Sequence, residues 1–399
     1  MEPLKKEGAF YLLCAVGGLA IFSSTIAKNP TLPILAQEIG ASKAAIGLIA
    51  AASTVTGILT SLPAGLLSDR RGRRPLLIAS GLVFFSAPLL YFFIHSAWQL
   101  ALVRIYHGLA TAVFGPVAMA YVADLAPVRR GERLGYYTSA TLVGRTVAPV
   151  VGGAILTGLG AWQGVYVVCA GAGLLALVGM FLLPEPKAAP MAAAEKVGRA
   201  PLRAVFANRN ILVTSVAEAA QFLAFGALEA FLPLYALSVG VNEAAVGLLF
   251  GVQVGVRTLA RPLMGILSDR YGRKGPIVLG LGLTGATMAL FAQAQAWWAL
   301  LGLSLAFGLG LSIASAATSA YVADLAPAEA RGAALGYMST IMDVGQATGP
   351  ILLGFILAGA SYPVGFAAVG AVVLGAMALF ATAVSRAPSS EPYHGAARR

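Results

Sequence analysis

Gly65-Leu66-Leu67-Ser68-Asp69-Arg70-Arg71-Gly72-Arg73-Arg74 returns as Gly265-Ile266-Leu267-Ser268-Asp269-Arg270-Tyr271-Gly272-Arg273-Lys274, 200 residues later in a chain of 399. Each copy sets a dense charged turn between long apolar segments, so the chain reads as one half-protein written twice. The repeat extends well beyond the turn. Leu32-Pro33 and Gly40 match Leu232-Pro233 and Gly240, and Ala44-Ala45-Ile46-Gly47-Leu48 matches Ala244-Ala245-Val246-Gly247-Leu248. Tyr121 to Pro127 recurs unchanged as Tyr321 to Pro327. After one inserted residue, Leu134-Gly135-Tyr136 matches Leu335-Gly336-Tyr337.

Composition sets the class. Hydrophobic residues make up 58% of the chain and charged residues 11%, against about 25% charged in a soluble domain. Cys14 and Cys169 lie inside apolar runs and read as packing residues, with no disulfide framework. We expect no cleavable signal peptide, because the first apolar run is too long for one and lacks a cleavage site. A membrane-spanning helix needs about 20 apolar residues. Twelve such runs are present, near 9–33, 44–67, 75–95, 98–124, 134–159 and 162–183, then 210–234, 243–267, 276–295, 298–324, 333–358 and 363–384. Six runs separate the copies, an even number, so both halves point the same way. A pseudo-two-fold axis along the membrane normal follows. The expected fold is an all-α membrane protein of twelve transmembrane helices in two parallel six-helix repeats. Its parts are a bundle over 1–184, a Pro/Ala-rich charged linker over 185–208, a second bundle over 209–385 and a tail over 386–399.

Basic residues orient this arrangement. Lys5, Lys6, Arg70–Arg74, Arg129, Arg130, Arg133, the Lys187–Arg209 stretch, Arg270–Lys274, Arg331 and the C-terminal arginines fall on one side, whereas the other holds little beyond Lys28 and Lys43. Positive residues stay in the cytoplasm, so both termini are expected inside a multi-pass protein of the plasma (cytoplasmic) membrane, the cell inner membrane. Trp98, Trp162, Trp297 and Trp298 fall in the outer turns, as an interfacial aromatic belt would. The net charge of +11 is thus topological, with no nucleic-acid partner expected.

On these residues the chain resembles the major facilitator superfamily over essentially its whole length. The Gly65–Arg74 turn, between the second and third helices, matches that family's signature loop. Arg104-x-x-x-Gly108 resembles its second motif. Gly144-x-x-x-Ala148-Pro149-x-x-Gly152-Gly153 resembles the motif of its proton-coupled exporters, with Ala148 where glycine is usual. The resemblance implies a conformational latch of Gly65, Asp69, Arg70, Gly72, Arg73, Arg74 and Asp124 that stabilises an outward-open state, with a second-copy latch of Asp269, Arg273 and Asp324. Physically, a carboxylate there can accept from backbone N–H groups at a neighbouring helix N-terminus. Alternatively, these arginines set topology alone.

What does not repeat is the better guide to chemistry. Arg104, His107, Arg145, Glu218, Glu229, Arg257, Arg261 and Asp343 sit inside helices, and the other half carries Ser304, Phe307, Gln346, Gly18, Asn29, Gly57, Ser61 and Leu142 at their places. A charge at membrane depth costs at least about 2.5–3.5 kcal/mol. Counting about 1.5 Å per residue places Asp343 and Arg145 near the midplane. Arg104 and His107, three residues apart, share a helix face. Asp343, Glu218, Arg104 and His107 are the proton-coupling candidates, with a static ion pair the alternative for Asp343 and a plain cavity hydrogen bond for His107. Arg145 and Arg257 are expected to be structural ion-pair partners where the fifth and eighth helices meet. Glu229 is expected to reach the interface and Arg261 to snorkel. Phe22, Tyr106, Phe114, Phe222, Phe225 and Phe307 are the cavity aromatics. Pro149 and Pro350 mark bends or gates.

No Gly-x-x-x-x-Gly-Lys-[Ser/Thr] loop is present, and His95, His107 and His394 are too scattered to bind a metal. The expectation is a transporter and no enzyme: a monomer in a lipid bilayer, without cofactor, whose partners are a small-molecule substrate and protons. It would export small hydrophobic or cationic compounds by alternating access around a cavity of the first, fourth, seventh and tenth helices. The alternatives are an importer or facilitated exchanger of a sugar or other metabolite, and, from another class, a transport-dead sensor or scaffold.

Overall fold

A computed structural model describes residues 2–126, 129–186 and 199–384. Among them are twelve helices long and apolar enough to cross a membrane: α1 (Glu7–Glu38), α2 (Lys43–Arg71), α3 (Arg73–Phe93), α4 (Ala97–Leu125), α5 (Arg130–Leu159), α6 (Trp162–Leu182), α7 (Arg209–Ser238), α8 (Glu243–Tyr271), α9 (Lys274–Gln293), α10 (Trp297–Leu325), α11 (Ala328–Leu357) and α12 (Tyr362–Ala383). Helix is the expected solution, since a chain in hydrocarbon must satisfy its backbone polar groups within each segment. The helices outrun the apolar runs at several ends. α2, for example, continues to Arg71 and α5 starts at Arg130.

The repeat is visible in the packing. In the first half α1 packs on α5 and α6, α2 on α4, and α3 on α4 and α6. In the second half α7 packs on α11 and α12, α8 on α10, and α9 on α10 and α12. The halves meet through α2 against α11 and, related by the pseudo-two-fold, α5 against α8. Local details repeat too. Ser42 Oγ accepts from the Ala45 N–H at 3.2 Å and Asn242 Oδ1 from the Ala245 N–H at 2.8 Å, capping α2 and α8. Gly72 and Gly272, at φ 91° and 80°, turn the chain where a side chain would be strained.

Two features depart from the sequence reading. α1 breaks after Ile26 and resumes as Thr31–Glu38. Pro30, which has no N–H to give, sits in the break. The expected linker over 185–208 contains a helix, Arg199–Ala207. Its Val205 packs with Ile211, Val322 and Ala334, so the end of that stretch belongs to the second half's core. Residues 187–198 and the expected tail over 386–399, with Lys187, Lys196, His394 and the C-terminal arginines, lie outside the described residues, as does Pro127.

Two ends of the bundle can now be distinguished. The basic end carries Arg70–Arg74 and Arg270–Lys274. The tryptophan end carries Trp98, Trp162, Trp297 and Trp298 at the starts of α4, α6 and α10. Trp98 and Trp298 are exposed on the outer surface, as interfacial anchors require.

Candidate functional site

The halves are sealed to each other at the tryptophan end by close backbone contact. A Cβ on Gly47 of α2 would stand 2.2 Å from the Pro350 carbonyl oxygen of α11. Its repeat partner Gly247 of α8 stands in the same relation to Pro149 of α5, at 2.3 Å. Gly153 and Gly354 complete the two seams against Glu243 and Lys43. The motif read at 144–153 is therefore an interface: Gly144 rests on the Gly18 carbonyl of α1, and Gly153 on α8. Polar contacts cross the same end. Thr157 Oγ1 accepts from the Ala244 N–H at 2.8 Å, and Lys43 Nζ donates to the Tyr362 hydroxyl at 2.9 Å.

On the axis between the halves lies a charged cluster. Lys28 Nζ stands 2.6 Å from Glu229 Oε2, and Asn29 Nδ2 donates to Glu229 Oε1 at 2.8 Å. Gln346 Nε2 is 3.5 Å from the same carboxylate. The break in α1 frees Lys28 and Asn29 from the helix and turns them across the interface. Glu229 is thus buried and paired; it does not reach the membrane surface. Lys28 likewise lies in the interior, although its position in sequence places it in an outer turn.

From this cluster a cavity of about 790 Å³ runs toward the basic end. Ser61, Arg261, Ser319 and Ser339 line it on the basic side, and Lys28, Asn29 and Glu229 close it on the other. The cores agree: one apolar cluster of the first half and one of the second are separate, while a third joins Ile46 and Ala148 to Phe231 and Leu353 across the seam. The cavity is therefore open at the basic end and shut at the tryptophan end.

Asp343, Glu218, Arg104 and His107 all line this cavity, in different settings. Asp343 on α11 lines the cavity and makes no hydrogen bond or ion pair with a described residue. Glu218 on α7 is held by neutral donors: Ser315 Oγ at 2.9 Å, Thr318 Oγ1 at 2.7 Å and Gln221 Nε2 at 2.5 Å. Arg104 donates to Ser53 Oγ at 2.5 Å and to the Tyr91 hydroxyl at 3.4 Å. The same hydroxyl is 3.3 Å from His107 Nδ1. Tyr91, stacked on Tyr166 with centroids 4.0 Å apart, thereby joins the two candidates; the sequence reading missed it.

Arg145 and Arg257 also face the cavity, from α5 and α8. They are not ion-pair partners. Among the described residues the ion pairs involve other cations. Arg257 instead lies over the rings of Phe222 and Phe225, 4.8 and 5.5 Å from their centroids. Those two phenylalanines line the cavity, as does Phe250, which sequence reasoning did not single out. The other four expected aromatics are elsewhere. Phe114 packs edge-on to Phe84, and Phe307 to Phe291, both fully buried in the cores. Phe22 packs against the shared core, and Tyr106 hydrogen-bonds Ser86 at 2.8 Å.

The two charged turns form matched three-way contacts. Arg73 Nε is 2.9 Å from Asp124 Oδ2, and its Nη1 pairs with Asp69. Arg273 repeats both, with Asp324 at 2.9 Å and with Asp269. All partners of each turn lie within one half, so in this conformation neither turn links the halves, and Asp69 does not accept from a neighbouring helix N-terminus. The N-terminal amides of α3 are taken instead by Glu185, whose Oε1 and Oε2 accept from Arg73 N–H at 2.7 Å and Arg74 N–H at 3.1 Å. Arg74 also donates to the Phe181 carbonyl. Gly65 stands near Pro116 of α4, whereas Arg70 is exposed.

Duplicated six-helix units packed about one axis, with a cavity on that axis, are the architecture of a two-fold membrane transporter. The chain belongs to the Major Facilitator Superfamily, whose model matches residues 13–252 and 215–399. It is 26% identical over 354 residues to an uncharacterized MFS-type transporter of Methanocaldococcus jannaschii, covering 87% of this chain and 91% of that one. It is 25% identical to the multidrug resistance protein MdtG of Proteus mirabilis, covering 86% and 88%, and 27% identical to multidrug resistance protein 1 of Bacillus subtilis, covering 85% and 88%. Two solved structures share the fold. One is a bacterial homologue of the lysosomal transporter Spinster, in an inward-facing and unoccupied conformation, with TM-score 0.79, 16% identity and 95% of each chain covered. The other is a mutant of the nucleoside transporter NupG, with TM-score 0.80, 13% identity and 94% and 98% covered.

Proposed function

We propose that this transporter is a proton-coupled exporter of small, largely apolar compounds, working by alternating access. The observation that carries the reading is Asp343, a carboxylate with no protein partner inside a cavity that is open at one end only. An unpaired charge at membrane depth costs about 2.5–3.5 kcal/mol or more. Closing the halves over Asp343 therefore favours the protonated acid, which ties the rocking motion to proton binding. Export is supported by the 144–153 motif and by the printed names of the multidrug resistance relatives. Uptake of a charged metabolite is the second reading, favoured by the number of cationic side chains on the cavity wall.

In this reading the basic end faces the cytoplasm of a plasma-membrane protein, by the distribution of Lys and Arg, and the structure is the inward-open state. The halves, about 1–184 and 209–385, rock about the cavity. Asp69, bound within its own half here, becomes a contact to the other half when the basic end closes. Single cysteines at positions 73 and 273 would then be shielded from an impermeant reagent outside intact cells, and labelling from outside would overturn the orientation.

Coupling is tested in proteoliposomes with an imposed pH gradient. Asp343→Asn should lower gradient-driven flux by about tenfold or more, within the 5–150-fold range of site-to-site coupling, while substrate exchange without a gradient persists. Glu218→Gln should do less, because Glu218 is already satisfied by Ser315, Thr318 and Gln221. Undiminished gradient-driven flux in Asp343→Asn would refute the role.

A further inference from the structure

The charge on the cavity wall is one-sided. Lys28, Arg104, Arg145, Arg257 and Arg261 line it against Glu218, Glu229 and Asp343. The acids are not free to balance the excess. Glu229 is taken by Lys28 and Asn29, and Glu218 by three neutral donors. Asp343 makes no ion pair with an arginine among the described residues.

Arg145 on α5 and Arg257 on α8 line the cavity from opposite halves, on either side of the α5–α8 seam. Two guanidiniums on one cavity wall at membrane depth, neither in an ion pair among the described residues, are like charges that are expensive to keep. Arg257 is also held in place, over the faces of Phe222 and Phe225, so its N–H fork stands ready for a ligand. A guanidinium fork matches a planar carboxylate with two parallel hydrogen bonds. The cavity wall also carries apolar side chains, among them Ile21, Ile58, Phe250, Met338 and Met342. The volume, about 790 Å³, is that of a small-molecule site.

We propose that the transported compound carries a carboxylate, seated between Arg145 and Arg257, on an apolar body lying along Phe222, Phe225 and Phe250. This assignment rests on the cavity being the transport site and departs from the cationic substrates expected from the sequence. Because the two arginines come from opposite halves, the bound anion also relieves their repulsion when the halves approach. Arg145 and Arg257 are then substrate-binding residues that read charge.

The test uses the full-length protein in lipid nanodiscs and three probes of one shape: naphthoate, naphthylmethanol and naphthylmethylammonium. Calorimetry should show saturable binding of naphthoate, tighter than the ammonium by about tenfold or more. A hydrogen bond between charged groups contributes about 1.5–3 kcal/mol, so Arg145→Gln and Arg257→Gln should each weaken naphthoate by roughly 10- to 100-fold. Arg257→Glu should reverse the order of anion and cation. Should a variant fail to fold, the three probes still decide the sign of charge on the unmodified protein. Equal or tighter binding of the ammonium, no saturable naphthoate binding, or naphthoate binding untouched in both glutamine variants would overturn the proposal. Naphthoate binding with flux indifferent to a pH gradient supports it and refutes the proton coupling instead.

Discussion

The tryptophan end and the basic end of the bundle are held by different forces. At the tryptophan end the halves touch backbone to backbone, through Gly47 on Pro350 and Gly247 on Pro149, over a continuous apolar core. At the basic end the strong contacts are charged and stay within each half, through Arg73 and Arg273. Small residues let helices part and re-form contact with little rearrangement. Charged turns keep each half rigid whether or not the other is near. The difference teaches that sealing and stiffening are separate tasks, assigned to separate ends.

The sharpest way to break this division is to fill a glycine at the seal. In Gly247→Leu the new side chain meets the Pro149 carbonyl. Overpacking costs about 1–3 kcal/mol or more, and flux should fall roughly hundredfold. A cysteine at position 29, shielded in the parent, should then react from the tryptophan side. Unchanged flux would show that the seam is not a seal.

A middle effect is expected at the turns, and it should differ between copies. Asp124 is 15% exposed and Asp324 is 55% exposed, so removing Arg73 strands a carboxylate away from water and removing Arg273 does not. Arg73→Ala should reduce flux by about tenfold, the loss of a charged hydrogen bond. Arg273→Ala should reduce it by about twofold, as for an exposed ion pair. Equal losses in both would make surroundings irrelevant.

The smallest effect belongs to Glu185→Gln, which removes a negative charge from the N-terminus of α3. Such contacts contribute about 0.3–1 kcal/mol at low salt. Thermal unfolding should shift slightly downward, and the shift should shrink as salt is added. A salt-independent shift would assign the effect to packing against Gly72.

The architecture was legible because its signals are long and redundant: twelve apolar runs and a 200-residue repeat. Which face of a helix meets the cavity was not. Helices such as α4 and α10 carry apolar residues on every side, so periodicity alone cannot tell which aromatic faces core and which faces cavity, and Phe114 and Phe307 were misplaced. Arg145 and Arg257 were expected in structural ion pairs, and among the described residues they make none. Lys28 was missed because it lies near the outer end of the first apolar run, and only the break before Thr31 turns it inward. One signal could have found its partner. Asn29 and Glu229 hold equivalent places in parallel repeats, and equivalent places near the axis meet.

That meeting has an evolutionary consequence. A symmetric pair of six-helix subunits would carry the same residue at both places. Two asparagines there could hydrogen-bond each other, but two glutamates would oppose like charges in a water-poor interior. The Asn29–Glu229 contact is therefore open only to halves joined in one chain and free to mutate apart. Divergence of the two halves makes an axis on which identical halves would each have to tolerate their own image into a place for unlike partners.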